Sequence, residues 1–308
     1  MNKITKDYLQ GEHIAGESFD GYILVRDVNR GLTKNNSPYF YGLLSSEVDI
    51  PYKIWDSVTA FKTMESTNLE NRVAYVSGSW SEYRGQFSIE ITSLVEDKDG
   101  EYSVADFLPV VYDKETYWKA LRAMSEQLLS PDIMEVACKT LFDNEEVAKA
   151  FKTEYAAKSH HDNCPSGLLA HTYKVCYLTQ VSLSLYGGIV DKDLLFLGAL
   201  LHDIGKTKEM NFGAYQPCSK VTHRYLGIEI LPKDLIVEKR GIDWFYELVS
   251  IMLQHHGQWG DPCKTVSARF VNLIDEFEAK MQDMKQRVEL AGTLGDVVID
   301  GQHLSYMV

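Results

Sequence analysis

The sequence "LLFLGALLHDIGKTKEM", residues 194 to 210, decides how the second half of this chain is organised. It begins as an uninterrupted apolar run, which predicts a buried helix, and it ends in His202, Asp203 and Lys206. Polar groups at the end of a core helix are costly to bury unless other side chains or a cation satisfy them. We therefore expect the rest of the chain to supply partners for His202 and Asp203.

The composition is that of a globular chain that is not drawn to polyanions. The 308 residues are 45% hydrophobic and carry a formal net charge of -13, which argues against nonspecific adhesion to nucleic acids or anionic membranes. The five cysteines are scattered and form no CxxC pair, as in reduced proteins. The first residues lack the apolar core of a signal peptide, and the longest apolar run, Leu194 to Leu201, is too short to cross a bilayer. We expect a cytoplasmic protein without a membrane partner.

The first hundred residues follow the period of β-strands. Segments that alternate apolar and polar residues, or are rich in β-branched and aromatic ones, cover residues 21–31, 37–46, 48–56, 72–85 and 86–94. A helical pattern occupies Ser57 to Asn68, and Tyr83-Arg84-Gly85 predicts a hairpin turn. Five short strands and one helix predict a small all-β barrel similar to the OB-fold.

The period changes to that of helices after Asp113. Apolar residues recur at spacings of three and four, and Pro131 and Gly187-Gly188 stand where helices should begin or end. The predicted architecture is an all-β domain over residues 1–96 followed by an all-α domain over residues 97–308.

Several polar residues in the second half are embedded in apolar stretches, as His202 and Asp203 are. These residues are His171, His223, His255, His256 and Asp275. Each alone is more often a hydrogen-bonded core residue or a helix cap, but together they have no inexpensive structural explanation. A divalent cation supplies one. Imidazole nitrogen and carboxylate oxygen suit manganese, iron, cobalt, nickel or zinc better than calcium or magnesium.

The order of these residues resembles the HD-domain superfamily of metal-dependent phosphohydrolases, for which "HDIGK" (residues 202–206) is the most specific signature. The resemblance implies that His171, His202, Asp203 and Asp275 bind metal. The additional His223 and the pair His255-His256 are similar to the branch of the superfamily that holds two metals.

A narrower resemblance covers most of the chain and is densest from Lys158 to Arg287. A barrel followed by "SHHDNCPSGLLAHT", "LLFLGALLHDIGK" and "IMLQHHGQWGDP" is similar to the YhaM family of bacterial 3′-to-5′ exoribonucleases. This implies a metal-dependent enzyme that hydrolyses single-stranded RNA, or DNA, to mononucleotides. The all-α domain would then be an HD phosphohydrolase domain with its core at about residues 158–287, and the barrel would bind nucleic acid.

The expected chemistry needs two cations, with manganese favoured, that activate water and hold the phosphodiester. We expect His171, His202, Asp203 and Asp275 around one ion, and His223, His255 and His256 around the other, with Asp203 bridging. Asp203 and Lys206 are the candidate catalytic residues, although Lys206 could equally be a surface lysine at a helix end. His160 and His161 could contact substrate, or cap the helix that follows.

In the barrel, aromatic side chains and a few cations are the candidate nucleic-acid contacts, since single strands stack on such surfaces. The candidates are Arg30, Lys34, Tyr39, Trp55, Trp80, Tyr83 and Arg84, with Tyr41, Lys53 and Phe87 nearby. Up to Leu94, however, twelve acidic residues face nine basic ones, which is unusual for a tight binder of nucleic acid.

Two other functions stay open at this point. An HD phosphohydrolase acting on small nucleotides, including cyclic or dinucleotide signals, would use the same metal site. A binding protein with a structural metal would need fewer ligands than seven. Assembly into a homo-oligomer is compatible with the sequence, and the tail after residue 290 contains no informative motif.

Overall fold

The computed structural model describes residues 2–109, 111–157, 162–291, 294–299 and 302–307, with side chains described up to residue 285 and at Val288. The chain divides into two compact units, Met1–Val110 and Val111–Val308. Residues 97–110, which the sequence-based division assigned to the second domain, lie within the first unit.

The first unit is a closed barrel of five strands with the order β1-β2-β3-β5-β4. Its elements are α1 (Lys6–Leu9), β1 (Ser18–Leu32), β2 (Pro38–Ser45), β3 (Asp49–Trp55), α2 (Thr59–Ser66), β4 (Arg72–Tyr83), β5 (Gln86–Glu96) and a 3₁₀ turn at Val104–Phe107. All strand pairs are antiparallel except β3 with β5, which closes the barrel. The expected OB-like barrel, its helix and its hairpin are confirmed.

Alternation along the strands separates a core from an outer face. In β3, Ile50, Tyr52 and Ile54 are buried, whereas Lys53 and Trp55 point the other way and are half-buried. Inward residues from the strands form one apolar cluster that α2 helps to close. A side chain's position in this alternation therefore decides whether it can meet a ligand.

The second unit is helical, as the sequence predicted. Its elements are α3 (Lys114–Leu128), α4 (Pro131–Ala137), a π-helical turn (Cys138–Phe142), α5 (Glu145–Phe151), α6 (Gly167–Tyr186), α7 (Lys192–Leu201), α8 (Lys206–Glu209), β6 (Met210–Asn211), β7 (Ala214–Tyr215), a 3₁₀ turn (Pro217–Lys220), α9 (His223–Ile230), α10 (Lys233–Arg240), α11 (Ile242–Gln254), a 3₁₀ turn (Gly257–Trp259), α12 (Val266–Ala291), β8 (Leu294–Ile299) and β9 (Gln302–Met307). The hairpin of β8 and β9 lies in the tail, which contains no informative sequence motif.

Helix α7 is the centre of this unit. Residues from Leu194 to Leu201 are buried, and α6, α11 and α12 pack around them. Asp191 caps the helix, since its side chain accepts from the backbone N–H of Leu194. Because α7 is enclosed on all sides, the residues that follow its end are delivered to the interior. Within the described residues, no helix is long and apolar enough to span a membrane.

Candidate metal centre

The seven predicted ligands converge at one place in the helical unit. They arrive from the middle of α6 (His171), the end of α7 (His202, Asp203), the start of α9 (His223), the end of α11 (His255, His256) and α12 (Asp275). His202 and His255 are fully buried, and His171, Asp203 and His223 nearly so. Asp275 has 15% of its side chain exposed, so the centre meets solvent on that side.

Asp203 stands between two groups of imidazoles. Its Oδ2 lies 3.4 Å from His202 Nε2 and 3.7 Å from His171 Nε2. Its Oδ1 lies 3.4 Å from His223 Nε2 and 3.5 Å from His255 Nε2. Each carboxylate oxygen thus faces a different pair of ring nitrogens.

Two sets of potential ligands result. The first set is His171, His202, Asp203 and Asp275, and the second set is Asp203, His223, His255 and His256. In the second set the ligand atoms all lie within 4.8 Å of one another, and the same holds for His171, His202 and Asp203. Asp275 joins the first set because its Oδ1 lies 3.1 Å from His171 Nε2 and 3.8 Å from His202 Nε2.

Unsatisfied lone pairs in this centre fit a cation. Among the described residues, Asp203 Oδ1, His223 Nε2 and His255 Nε2 are buried without a hydrogen-bond partner. Leaving buried polar atoms unpaired is costly, and a divalent ion between imidazole nitrogens and carboxylate oxygens removes that cost. The residues present therefore suit divalent metal binding.

Burial and neighbouring charge set the protonation of the ligands. Burial lowers the pKa of His255 to about 4 and that of His256 to about 2, so both rings are neutral and can donate a lone pair at pH 7. Burial raises the pKa of Asp203, but the charges of Lys206 and His202 outweigh it and hold that pKa well below its ordinary value. Burial also lowers the pKa of His171, but hydrogen bonds to Asp275 and Glu278 outweigh it and raise the pKa to about 10.

Lys206 lies beside the carboxylate that joins the two sets. Its Nζ donates to Asp203 Oδ2 at 2.6 Å, and its side chain is 12% exposed. The ammonium is therefore held at the centre and is not a free surface lysine. His160 and His161, the other candidates for substrate contact, lie outside the described residues.

Sequence reasoning missed two buried glutamates that contact the histidines. Glu278 Oε2 lies 2.5 Å from His171 Nδ1, and Glu209 Oε2 lies 2.9 Å from His223 Nδ1. Glu278 is one helix turn after Asp275, a spacing that could have indicated a shared face. Glu209 lies in the polar segment "KTKEM", which gave no signal.

Two of the predicted nucleic-acid contacts of the barrel lie together with two residues near them. Tyr39 and Trp55 lie side by side on β2 and β3, with ring centroids 5.3 Å apart. Tyr41 lies 5.5 Å from Tyr39, and the Lys53 ammonium lies 5.9 Å from the Trp55 ring. We call Tyr39, Tyr41, Lys53 and Trp55 the aromatic face.

The other candidates lie apart from this face. Tyr83 and Arg84 are exposed at the hairpin between β4 and β5, and Lys34 is exposed in the loop after β1. Arg30 pairs with Glu65 at 3.0 Å. Trp80 requires a correction: it is 2% exposed, it stacks on His13 in the core, and it is unavailable to a ligand.

Two comparisons show which known proteins this chain is similar to. The HD domain family matches residues 168–280, a segment that contains all seven predicted ligands. Over 289 residues the chain is 28% identical to the 3′-5′ exoribonuclease YhaM of Oceanobacillus iheyensis, covering 89% of this chain and 88% of the relative. It is 29% identical over 294 residues to YhaM of Bacillus velezensis and 28% identical over 289 residues to YhaM of Bacillus subtilis, with 90% of each chain covered.

Proposed function

We propose that this chain, a metal-dependent hydrolase of the HD-domain class, is a 3′-to-5′ exonuclease that degrades single-stranded RNA to mononucleotides. The observation that carries this proposal is Asp203, whose two oxygens face two groups of buried imidazoles within the HD domain. The similarity to exoribonucleases over nine-tenths of the chain supports RNA as the substrate.

The two sets of ligands would each hold one divalent ion. Such ions supply a Lewis acid and an activated water at neutral pH, which is what hydrolysis of an anionic phosphodiester requires. Three imidazoles and a shared carboxylate in the second set, and two imidazoles with two carboxylates in the first, suit a divalent transition metal, and we favour manganese. Iron, cobalt, nickel and zinc accept the same donors, and metal analysis of the purified protein decides among them.

The remaining groups of the centre orient the substrate. The Lys206 ammonium lies 2.6 Å from Asp203 Oδ2 and is partly open to solvent, so it is placed to contact a phosphoryl oxygen that approaches this carboxylate. Lowered pKa values keep Asp203 and Asp275 ionised at neutral pH. The partial exposure of Asp275 marks the side from which a 3′ end would enter.

The barrel would hold the strand through its aromatic face. Tyr39, Tyr41 and Trp55 offer π-surfaces on which bases of any sequence stack, and Lys53 adds one cation beside them. The first unit has more acidic than basic residues, and a small aromatic surface with a single lysine is compatible with this excess. Binding by base stacking depends less on net charge than binding in a basic groove does.

A labelled oligonucleotide tests this function. Manganese-loaded protein is incubated with 5′-end-labelled single-stranded RNA and DNA of the same sequence, beside a panel of cyclic and linear dinucleotides. The expected result is a ladder that shortens by single nucleotides on RNA, absent in His202→Ala. Hydrolysis of the small nucleotides alone would instead favour a signalling-nucleotide phosphohydrolase. Uncleaved substrate in every lane would refute the proposal.

A further inference from the structure

The four buried histidines of the metal centre are held from behind in two different ways. His202 Nδ1 donates to the carbonyl of Ala199 at 2.8 Å, and His255 Nδ1 donates to the carbonyl of Met252 at 2.9 Å. Both carbonyls belong to the last turn of the preceding helix, where the final C=O groups have no partner within the helix. For these two rings the helix end itself fixes the orientation.

The other two rings have no such carbonyl and are held by carboxylates. His171 lies inside α6, where the backbone carbonyls are used by the helix, and His223 is the first residue of α9. Their Nδ1 atoms meet Glu278 Oε2 from α12 at 2.5 Å and Glu209 Oε2 from α8 at 2.9 Å. Glu278 is 4% exposed and Glu209 is 6% exposed, so both carboxylates are buried for these contacts.

The glutamates are distributed one to each set. Glu278 lies behind a member of the first set, and Glu209 lies behind a member of the second. A carboxylate behind an imidazole fixes the Nδ1–H tautomer, so that the Nε2 lone pair points to the cation, and it makes the ring a stronger donor. We propose that Glu278 and Glu209 are positioning residues that each govern the affinity of one of two cation sites. This rests on the proposed function, which supplies the two cations.

A third group of potential ligands, formed by Asp162, His171 and Glu278, does not form another cation site. The Lys174 ammonium lies between its carboxylates, 2.8 Å from Asp162 Oδ2 and 2.5 Å from Glu278 Oε1. Lys174 therefore occupies the place that a metal would need. It also balances part of the charge that Glu278 brings to the first set.

Glu209 is different in this respect. Its Oε1 accepts from the backbone N–H of His223, its Oε2 faces the ring, and within the described part of the chain it forms no ion pair with lysine or arginine. The second set also has Asp203 as its one carboxylate, whereas the first has Asp203 and Asp275. The negative charge of Glu209 should therefore matter more to its cation than that of Glu278 does.

Measurements of manganese binding distinguish the roles of the two glutamates. Metal-free protein is dialysed against increasing free Mn²⁺, and bound manganese is counted by elemental analysis in wild type, Glu209→Gln and Glu278→Gln. We expect each variant to retain one ion at the wild-type affinity and to bind the other about 10 to 100-fold more weakly, with the larger loss in Glu209→Gln. In the electron paramagnetic resonance spectrum, the signal of a coupled manganese pair should give way to that of an isolated ion.

Glu154→Gln is the matched control. Glu154 is also 4% exposed and accepts a hydrogen bond from the backbone N–H of Phe212 at 3.0 Å, but its side chain forms no hydrogen bond or ion pair with any of the seven ligands. It should bind two ions as the wild type does. The unfolding midpoint of each metal-free variant shows whether a glutamate stabilises the fold alone, because in that case the midpoint falls while both affinities stay unchanged.

The outcomes distinguish this inference from the proposed function. If wild type binds two ions and trims RNA, while both Gln variants bind two ions at wild-type affinity, the positioning role is refuted and the function stands. Loss of both ions together in either variant would refute the assignment of one glutamate to one site. If wild type binds no metal, the proposed function fails first. Should a Gln variant not fold, Glu209→Asp or Glu278→Asp, whose side chain is shorter by one methylene, is measured by the same criteria.

Discussion

The metal centre and the aromatic face are assembled on opposite principles. The centre draws its seven ligands from five helices or their ends, and nearly every ligand atom is buried. The aromatic face uses four side chains of two neighbouring strands, all of them partly exposed. In the first region long-range folding creates the site, whereas in the second local strand register does so.

The difference predicts different responses to mutation. Buried polar groups that share one partner fail together when that partner is removed, because each is left unsatisfied. Exposed rings contribute separately. Tyr39 packs over Gly31, where an added Cβ would come within 2.8 Å of its ring, and beside Tyr41 and Trp55, so apolar contacts and not shared buried hydrogen bonds set its position.

The largest effect is expected from Asp203→Asn. The substitution removes the one carboxylate common to both sets, so both cations should be lost and turnover should fall by about 10³-fold or more on substrates of every length. Initial rates on a dinucleotide and on a long RNA measure the loss of turnover. A filter-binding assay measures whether the barrel still binds RNA. Residual activity above one-hundredth of wild type on either substrate, or loss of RNA binding, would show that the two regions are not separable in this way.

Trp80→Ala should have the next largest effect, on folding instead of chemistry. Trp80 is among the largest fully buried side chains and packs against His13, Phe19 and Phe87. Truncating it leaves a cavity in the barrel and should lower the free energy of unfolding by about 3–5 kcal/mol. Denaturant unfolding followed by circular dichroism checks this. A change below about 1 kcal/mol would mean that the barrel core does not depend on this ring.

Trp55→Ala is the exposed counterpart of the same substitution. Trp55 lies on the outer side of β3 beside Tyr39, so its loss should leave stability nearly unchanged and weaken single-stranded RNA binding by about 1–3 kcal/mol. Fluorescence anisotropy with a labelled RNA measures the affinity, and dinucleotide hydrolysis should stay at the wild-type rate. Equal RNA affinity in Trp55→Ala and wild type would show that the aromatic face does not contact bound RNA.

The sequence predicted the metal centre better than the aromatic face, and the reason is physical. A histidine or aspartate within an apolar stretch conflicts with its surroundings, and "LLHDIGK" shows that conflict without any structure. Aromatic residues in strands are compatible with both the barrel core and the outer surface, so their type alone does not indicate where they lie. Trp80 shares the parity of Ala74 and Val76, both buried, so attention to alternation along β4 would have placed it inside.

The glutamates behind the histidines could not be predicted in the same way. Glu278 lies in "DEFEAKM" and Glu209 in "KTKEM", segments as polar as any solvated helix surface. Their function depends on meeting rings that are 107 and 14 residues away along the chain. Only the packing of α12 against α6, and of α8 against α9, brings these groups together.

A last prediction distinguishes the two sets of ligands by the pH dependence of manganese binding. In metal-free protein the pKa of His171 is raised to about 10, so a cation entering the first set must displace a proton, whereas the lowered pKa values of His255 and His256 leave the second set ready to bind. Between about pH 6.5 and about pH 8.5, manganese affinity of the first set should therefore rise by up to about tenfold per pH unit. Affinity of the second set should change little.

The raised pKa of His171 also makes the stability of the metal-free protein depend on pH. This stability falls as the pH rises, whereas metal affinity increases. A raised pKa means that protonated His171 stabilises the metal-free fold fully below about pH 6.5, and that this contribution is lost as the pH rises towards about 10. Manganese should offset the loss, so the difference in unfolding midpoint between loaded and metal-free protein should widen with pH. The aromatic face has no histidine or carboxylate, and its RNA affinity should stay constant over the same range. If manganese binding in both sets followed pH equally, the proton held by His171 would not be what distinguishes them.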